Sequence, residues 1–172
     1  MSSSFIKQND RKMHIIKTDL KPFSAAHRLV KGYQGKCAHL HGHDYRVNLH
    51  IAATALNALD LVVDFDDIKT LCNDWVQTHL DHGTLVVESD KPLHEFVHAE
   101  NQKHFLIPDG RNSSVEALAE HFYHQFTELW EVNRERLNPE AFIHTVEVWE
   151  SERSGAMYCA KGSFVKGDPC GA

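Results

Sequence analysis

The chain has 172 residues, of which 42% are hydrophobic and 24% charged, values typical of one globular domain rather than a disordered or fibrous protein. Its formal net charge of -6 and its scattered Lys and Arg residues argue against a nucleic-acid-binding surface, and its apolar runs are too short to cross a bilayer. The first residues lack the apolar centre of a signal peptide, so we expect a cytoplasmic protein without nucleic-acid or membrane partners.

The cysteine and histidine residues indicate which chemistry to expect. The cysteines Cys37, Cys72, Cys159 and Cys170 are widely spaced, which in a cytoplasmic chain predicts free thiols. Histidine is unusually frequent, with 14 residues, and we expect some of these to bind a metal ion.

The N-terminal third predicts strands. Residues 1–12 are polar and predict a flexible tail, which leaves 13–172 as a single domain. The pattern from Met13 to His27 is strand-like but interrupted at Pro22, as at an edge or bulge. From His41 the apolar residues alternate with polar ones, the period of a half-buried strand.

The remaining chain predicts two helices and more strands. Residues 61–67 predict a short strand, and a helix that begins at Asp66 or Asp67 follows and ends near His82. Residues 84–111 show no sustained period and are interpreted as a long insertion, which contains His94, His98 and His104. Ser113 and Glu116 predict a capping box for a second helix, before two closing strands that turn near Ser154.

Three histidines are candidate metal ligands. His41 and His43 lie two apart on the predicted strand, so their side chains point to the same face. His27 joins them if the preceding strand pairs antiparallel with theirs. Three imidazoles bind Zn²⁺ and leave a fourth position open, as in catalytic zinc sites. If Cys37, four residues before His41, were a fourth ligand, the site would be closed and structural.

Polar groups near these histidines suggest acid–base chemistry. Cys37 near a cation can lose its proton and act as a base or nucleophile. The adjacent Asp81 and His82 suit a proton relay, although a histidine at a helix C-terminus is an equally common explanation. Glu150 ends an apolar row on a closing strand, where a ligand with an N–C–N edge would satisfy its carboxylate with two hydrogen bonds.

Six sequence blocks carry a family resemblance. The blocks, in chain order, are FSAAHRL, CAHLHGHDYRV, VVDFDDIK, LDHG, SSVEALAEHF and VEVWE. Together they resemble the 6-pyruvoyltetrahydropterin synthase and 6-carboxytetrahydropterin synthase family. The spacing from Cys37 to the His-Gly-His triplet is similar to that of the bacterial carboxytetrahydropterin synthases.

The resemblance implies an α+β tunnelling fold, in which a four-stranded antiparallel sheet carries two helices on one face. It implies that the subunits join their sheets into a β-barrel, as a homohexamer (a dimer of trimers) with active sites at subunit interfaces. The implied roles are as follows: zinc on His27, His41 and His43; Cys37 as the base; Asp81 and His82 as the relay; Glu150 as the pterin anchor; and Ser113, Ser114 and Glu116 in the pterin pocket.

The resemblance further implies zinc-dependent conversion of 7,8-dihydroneopterin triphosphate to 6-carboxytetrahydropterin, with loss of acetaldehyde and triphosphate, in queuosine biosynthesis. Two other functions stay open: a pyruvoyl synthase, which only eliminates triphosphate, and a non-catalytic zinc-stabilised binding protein. A metal-dependent oxygenase is disfavoured, because no acidic residue has the spacing of a facial triad. Two features depart from the family pattern, namely Gly83, where bacterial members often have a second histidine, and the insertion at 84–111.

Overall fold

The computed structural model describes residues 13–108 and 111–159. The predicted tail, residues 1–12, and Cys170 lie outside these ranges. The strands are β1 (His14–Asp19), β2 (Phe23–His27), β3 (His41–Ala53), β4 (Gly83–Val87), β5 (His104–Ile107), β6 (Ala141–Trp149) and β7 (Gly155–Tyr158). The α-helices are α1 (Phe65–Ile68), α2 (Asp74–His79), α3 (Lys91–Ala99) and α4 (Val115–Leu137).

The strand β3 organises the sheet. Its predicted alternation is confirmed, because Tyr45, Val47 and Leu49 are buried while Asp44 and Arg46 are exposed. Both β1 and β2 pair antiparallel with β3, one after the other, and β6 pairs with it antiparallel as well. Pro22 lies in the break between β1 and β2, where the ladder is interrupted and the missing N–H costs nothing.

The expected four-stranded antiparallel sheet is wrong in number and in direction. The sheet has seven strands in the order β5-β4-β2-β3-β6-β7, with β1 also on β3. Strand β4 pairs parallel with both β2 and β5. Two of the three extra strands, β4 and β5, come from the region of the insertion, whose elements have 5, 9 and 4 residues and are too short to show a sustained period. The third arises because the strand pattern before β3 divides into β1 and β2.

The helices occupy both faces of the sheet, which corrects the expected two helices on one face. Helix α4 packs on β6 and β7 and belongs to the main core together with α1 and α2. Helix α3 packs on the opposite face, where Leu93 and Val97 form a separate small cluster with Val86. Adjacent residues of a strand point to opposite faces, so Val86 and the core residue Leu85 mark the two sides.

The first helical segment differs from its prediction at its N-terminal end. Asp64 is the N-cap, because its side chain accepts a hydrogen bond from the Asp66 N–H. The predicted strand at 61–67 is wrong, since Val62 and Val63 are buried in the core without belonging to a strand. A π-turn over Lys69–Asn73 joins α1 to α2, and the segment ends at His79 as expected.

The predicted N-cap of α4 is shifted by one residue, and the predicted pairing of Ser113 with Glu116 as a capping box is wrong. Ser114, not Ser113, caps α4, and its hydroxyl accepts a hydrogen bond from the Ala117 N–H. Ser113 is fully buried and lies against His27 instead. A shift of one position at a helix start exchanges which serine faces the solvent and which faces the core.

None of the helices in the described ranges is both long enough and apolar enough to span a membrane. Cys37, Cys72 and Cys159 are free thiols.

Candidate active site

Three histidines meet at one end of the β2–β3 pair. The register places His27 directly opposite His41, and His43 opposite Ala25. The ring centroid of His27 lies 4.6 Å from that of His41 and 5.2 Å from that of His43. One ligand atom from each histidine lies within 4.8 Å of the others, so the antiparallel pairing brings together the three predicted ligands.

Backbone carbonyls fix the orientation of two of these rings. His27 donates a hydrogen bond from Nδ1 to the carbonyl oxygen of Ser113 at 2.8 Å, and His41 donates from Nδ1 to that of His39, also at 2.8 Å. With Nδ1 protonated, each neutral ring presents a lone pair on Nε2. Such contacts to the outer nitrogen are typical of histidines that bind metals.

The remaining ring nitrogen of His27 indicates that the residues fit a metal ion. Nε2 of His27 is buried and has no hydrogen-bond partner in the described protein. A buried, unpaired polar nitrogen is costly, and a cation at the centre of the cluster would satisfy it. The donor set of three imidazoles suits Zn²⁺.

Burial also keeps His27 in the form that a metal requires. Burial lowers the pKa of His27 to about 4, against the opposing effect of the Ser113 carbonyl, and the neighbouring His41 and His43 lower it further. His27 is therefore neutral near pH 7. Only the neutral imidazole has the lone pair that coordinates a cation.

Cys37 lies in the loop that precedes β3, within a short 3₁₀ helix over Lys36–Ala38. The Leu29 N–H donates to the carbonyl oxygen of Cys37 at 2.8 Å and ties this loop to the end of β2. The thiol is half-buried, and its sulfur is not among the ligand atoms that cluster with the three histidines in the described ranges. Within the described ranges, Cys37 is therefore not grouped with the three histidines as a fourth ligand.

Asp81 and His82 form a hydrogen-bonded pair at the start of β4. His82 Nδ1 lies 2.8 Å from Oδ2 of Asp81. Ser24 holds the pair from both sides, because its N–H donates to Asp81 Oδ1 at 3.0 Å and its carbonyl accepts from the His82 N–H at 2.8 Å. The Ser24 N–H, and then His82, lower the pKa of Asp81, so the carboxylate is charged and orients the imidazole.

The backbone explains why residue 83 is glycine. A Cβ atom at Gly83 would lie only 3.0 Å from the carbonyl oxygen of Leu80. The turn also holds His82 at a φ of 58°. The close approach to Leu80 favours glycine at residue 83 over the second histidine that is frequent in the family pattern.

A cleft connects the Asp81–His82 pair to the cluster of His27, His41 and His43. His82 and His43 both line a cleft of about 370 Å³. A neighbouring cleft of about 770 Å³ is lined by His43 and by Glu150. His43 therefore lines both clefts and lies between the Asp81–His82 pair and Glu150.

Glu150 lies beside the histidine cluster. Its Oε2 is 4.0 Å from Nε2 of His43, and its side chain is half-buried rather than fully buried. Its backbone N–H donates to the carbonyl oxygen of Ser154, which fixes the turn between β6 and β7. The carboxylate is therefore accessible from the cleft and can accept hydrogen bonds from a ligand there.

The three predicted pocket residues near α4 are in different environments. Ser113 is fully buried, and its hydroxyl lies 3.2 Å from His27 Nδ1 and donates to the Arg28 carbonyl. Ser114 is half-buried at the N-cap, and Glu116 is exposed on the first turn. The structure thus connects Ser113 to the candidate metal ligand His27.

Sequence reasoning missed two tyrosines. Tyr45 packs edge-on against His27 and His43, and its buried hydroxyl has no partner within the described ranges. Burial, and then Glu150, raise the pKa of Tyr45. Tyr33 hydrogen-bonds to Cys37, which raises the pKa of Tyr33, and its ring lies over Gly35. The position of Tyr45 could have been predicted, because it lies two and four residues after His43 and His41 on the same strand and so points to the same face.

Comparison with known sequences gives a consistent set of relatives. The family model for 6-pyruvoyl tetrahydropterin synthase matches residues 15–161. A 6-carboxy-5,6,7,8-tetrahydropterin synthase from Rickettsia bellii is 31% identical over 131 residues, which cover 75% of this chain and 88% of that protein. A putative enzyme of the same name from Pyrococcus horikoshii is 30% identical and is covered over 84% of its length.

Solved structures share the fold. An uncharacterized protein from Wolinella succinogenes superposes with a TM-score of 0.71 at 16% identity, covering 87% of this chain and 99% of that one. The 6-pyruvoyltetrahydropterin synthase from Plasmodium vivax has a TM-score of 0.62 at 19% identity, covering 86% and 97%. These likenesses support the α+β architecture with its curled mixed sheet.

Proposed function

Because the chain belongs to the 6-pyruvoyl tetrahydropterin synthase family, we propose that it is a zinc-dependent 6-carboxytetrahydropterin synthase. Its substrate in this proposal is 7,8-dihydroneopterin triphosphate. With one water molecule consumed, the products are 6-carboxy-5,6,7,8-tetrahydropterin, acetaldehyde and triphosphate. The product would feed the synthesis of 7-deazaguanine nucleosides such as queuosine.

One observation supports this function above the others. The cluster of His27, His41 and His43 contains a buried nitrogen without a partner, and the Glu150 carboxylate lies 4.0 Å from His43. A cation-binding cluster next to a carboxylate can hold a substrate at two points, one at its side-chain oxygens and one at an N–C–N edge.

The protein's own residues divide the work of proton transfer. When bound, Zn²⁺ would supply Lewis-acid stabilisation of negative charge on the substrate's side-chain oxygens. Cys37 accepts the proton from a side-chain carbon of the substrate. His82, held by Asp81, returns protons, so the pterin ring is reduced internally and no nicotinamide is consumed.

Glu150 positions the substrate for these steps. Its carboxylate accepts two parallel hydrogen bonds from the aminopyrimidine edge of the pterin, as a carboxylate does from a guanidinium. In this proposal the bound ring lies near the three histidines, because Oε2 of Glu150 is 4.0 Å from Nε2 of His43. Ser113 acts indirectly, because it holds His27.

The pyruvoyl synthase reaction is the alternative within the family. The Rickettsia bellii and Haemophilus influenzae relatives are both named 6-carboxy-5,6,7,8-tetrahydropterin synthases, which favours the carboxy reaction.

A product assay distinguishes the two reactions. Zinc-loaded protein is incubated with 7,8-dihydroneopterin triphosphate, and the products are separated and identified by mass spectrometry. We expect carboxytetrahydropterin and acetaldehyde in equal amounts. A ketone-bearing pterin without acetaldehyde would assign the chain to the pyruvoyl reaction, and zinc-loaded protein that binds the substrate without turnover would identify a non-catalytic binding protein.

We also propose that the subunits join their sheets into a barrel as a homohexamer. The outer strands β1 and β7 carry the exposed apolar residues Ile15 and Met157, which a neighbouring sheet would cover. The His82 side chain is 82% exposed, so an adjoining subunit can enclose the relay pair. Light scattering coupled to gel filtration measures the mass, and a monomer would contradict the proposal.

A further inference from the structure

The insertion at 84–111 brings three other histidines together on the opposite side of the sheet. They are His94 and His98 on α3 and His104 at the start of β5. One ligand atom from each lies within 4.8 Å of the others, the same criterion that the first cluster meets. We propose that His94, His98 and His104 form a second binding site for a divalent transition metal, with Zn²⁺ as the expected ion.

Helix geometry supplies two of the ligands. Residues four apart lie on the same face of a helix, and the Nε2 atoms of His94 and His98 are 3.1 Å apart. Tetrahedral Zn²⁺ with Zn–N distances of about 2.0–2.1 Å separates its nitrogen ligands by about 3.3 Å. The two rings therefore already have nearly the nitrogen spacing of a zinc-bound pair.

A tight turn returns the third ligand to the helix. Asn101 follows the helix end in the left-handed conformation, with a φ of 49°, and its N–H donates to the His98 carbonyl. Gln102 then donates its N–H to the Val97 carbonyl at 2.7 Å. This reversal brings the ring centroid of His104 to 4.6 Å from that of His98.

The orientation of His104 matches that of a ligand in the first cluster. His104 donates from Nδ1 to the carbonyl oxygen of Gln102, two residues before it, at 3.0 Å. His41 makes the same contact with His39, also two residues before it. In both rings the bonded Nδ1 leaves the lone pair on Nε2 for an ion.

The sequence of this segment fits a known arrangement of zinc ligands. The stretch HEFVHAENQKH has histidines at the positions required by the pattern H-E-x-x-H-x-x-G-x-x-H, in which the three histidines bind one zinc ion. Asn101 occupies the glycine position. Asparagine and glycine are the residues that most readily adopt the left-handed conformation, and Asn101 has it.

The two clusters are separate sites. Phe105 pairs with Leu85, which pairs with His27, so these three residues point to the same face of the sheet. His104 is adjacent to Phe105 and points to the other face, where α3 packs. His94 and His104 are half-buried and His98 is exposed, so an ion has direct access from solvent.

If His94, His98 and His104 bind no metal, a different zinc content is expected. In that case one of the two rings donates its Nε2–H to the other, and the 3.1 Å contact is an ordinary hydrogen bond between neutral imidazoles. Zinc would then bind to the first cluster alone.

The test measures the zinc content of the full chain. Protein stripped with chelator is loaded with ZnCl₂, passed through gel filtration and analysed by mass spectrometry for metal per chain. We expect about two ions in the wild type, one for each cluster, and about one in His98→Ala and in His104→Ala. His43→Ala should also retain about one ion, held by the second cluster.

Two control variants distinguish the loss of a zinc ligand from the general effect of changing an exposed side chain. Glu95→Gln changes the exposed carboxylate between the two helical ligands, and His124→Ala removes an exposed histidine on α4. Both should keep the zinc content of the wild type. Circular dichroism checks that His98→Ala, at an exposed helical position, is folded. Equal zinc content in the wild type, His98→Ala and His104→Ala would overturn the proposal.

Discussion

The carbonyl oxygen of Ser113 lies 2.8 Å from Nδ1 of His27 and joins the start of α4 to the histidine cluster. This contact fixes the tautomer of His27 and leaves its buried Nε2 for a cation. The Ser113 hydroxyl adds a second contact at 3.2 Å. The position of α4 on the sheet and the geometry of the site are therefore connected through one residue.

Ser113→Ala should weaken zinc binding at the first site by up to about tenfold, because the hydroxyl is lost while the backbone carbonyl remains. The matched control is Ser114→Ala, which removes the N-cap of α4 and should cost about 1 kcal/mol of stability without changing zinc affinity. Competition with a chromophoric chelator measures the affinity. Equal affinities for the two variants would show that the Ser113 hydroxyl does not support His27.

The lowered pKa of His27 makes the metal-free protein sensitive to acid. Since the folded-state pKa is about 4 and the unfolded value about 6.5, the unfolded state binds more protons between these values. Stability therefore falls as the pH falls through this window, and the loss from His27 should reach about 3 kcal/mol near pH 4.

His27→Gln tests this linkage, because glutamine stays neutral throughout. In the presence of chelator, urea unfolding of both proteins is measured from about pH 7 to pH 4. The wild type should lose more stability than the variant over this range, because only the wild type takes up a proton at residue 27 on unfolding. Parallel stability curves would contradict the low pKa of His27.

Cys37→Ala should retain zinc at the three histidines and lose catalysis by a factor of about 100 or more, since the proton-abstracting group is removed. Cys159→Ala is the control, because it removes another half-buried thiol. Zinc analysis and the product assay are run on the same samples. Loss of zinc together with unfolding in Cys37→Ala would instead identify the thiol as a structural ligand.

Glu150→Gln should raise the KM for the pterin substrate about ten- to hundredfold, because a neutral amide replaces the charged acceptor of two hydrogen bonds. Glu152→Gln, which changes a second carboxylate lining the same cleft, should leave KM near the wild-type value. Steady-state kinetics with both variants distinguish the two carboxylates. A similar rise in KM for both would indicate a general effect of charge on substrate binding rather than specific anchoring by Glu150.

The parts of the site that lie on β2 and β3 were predictable from the sequence. The alternation after His41 gives the face of β3, and antiparallel pairing with β2 then brings His27 opposite His41, as observed. The position of Ser113 was not predictable, because its spacing to Glu116 indicates that Ser113 is the cap, whereas Ser114 caps α4 in the structure. The contact of Ser113 with His27 of β2 decides between the two serines.

The insertion shows why the rest of the fold was missed. Its parallel strands β4 and β5 are short, and parallel pairing leaves no local turn signal in the sequence. The fold of this segment decides whether His94, His98 and His104 meet, so its histidines had no evident purpose until α3 and β5 were located. The spacing of histidines in the sequence predicts a shared site when the ligands lie on one helix or strand. It predicts less when a third ligand lies on a different element.

The ligand shell of the first zinc ion tests the account most directly. Zinc K-edge absorption is measured on the His98→Ala/His104→Ala double variant, so that only the first site contributes to the spectrum. We predict a shell of nitrogen and oxygen ligands at about 2.0–2.1 Å, from three imidazoles and an exchangeable ligand. A sulfur ligand at about 2.3 Å would show that Cys37 closes the site, and would contradict its proposed role as the base.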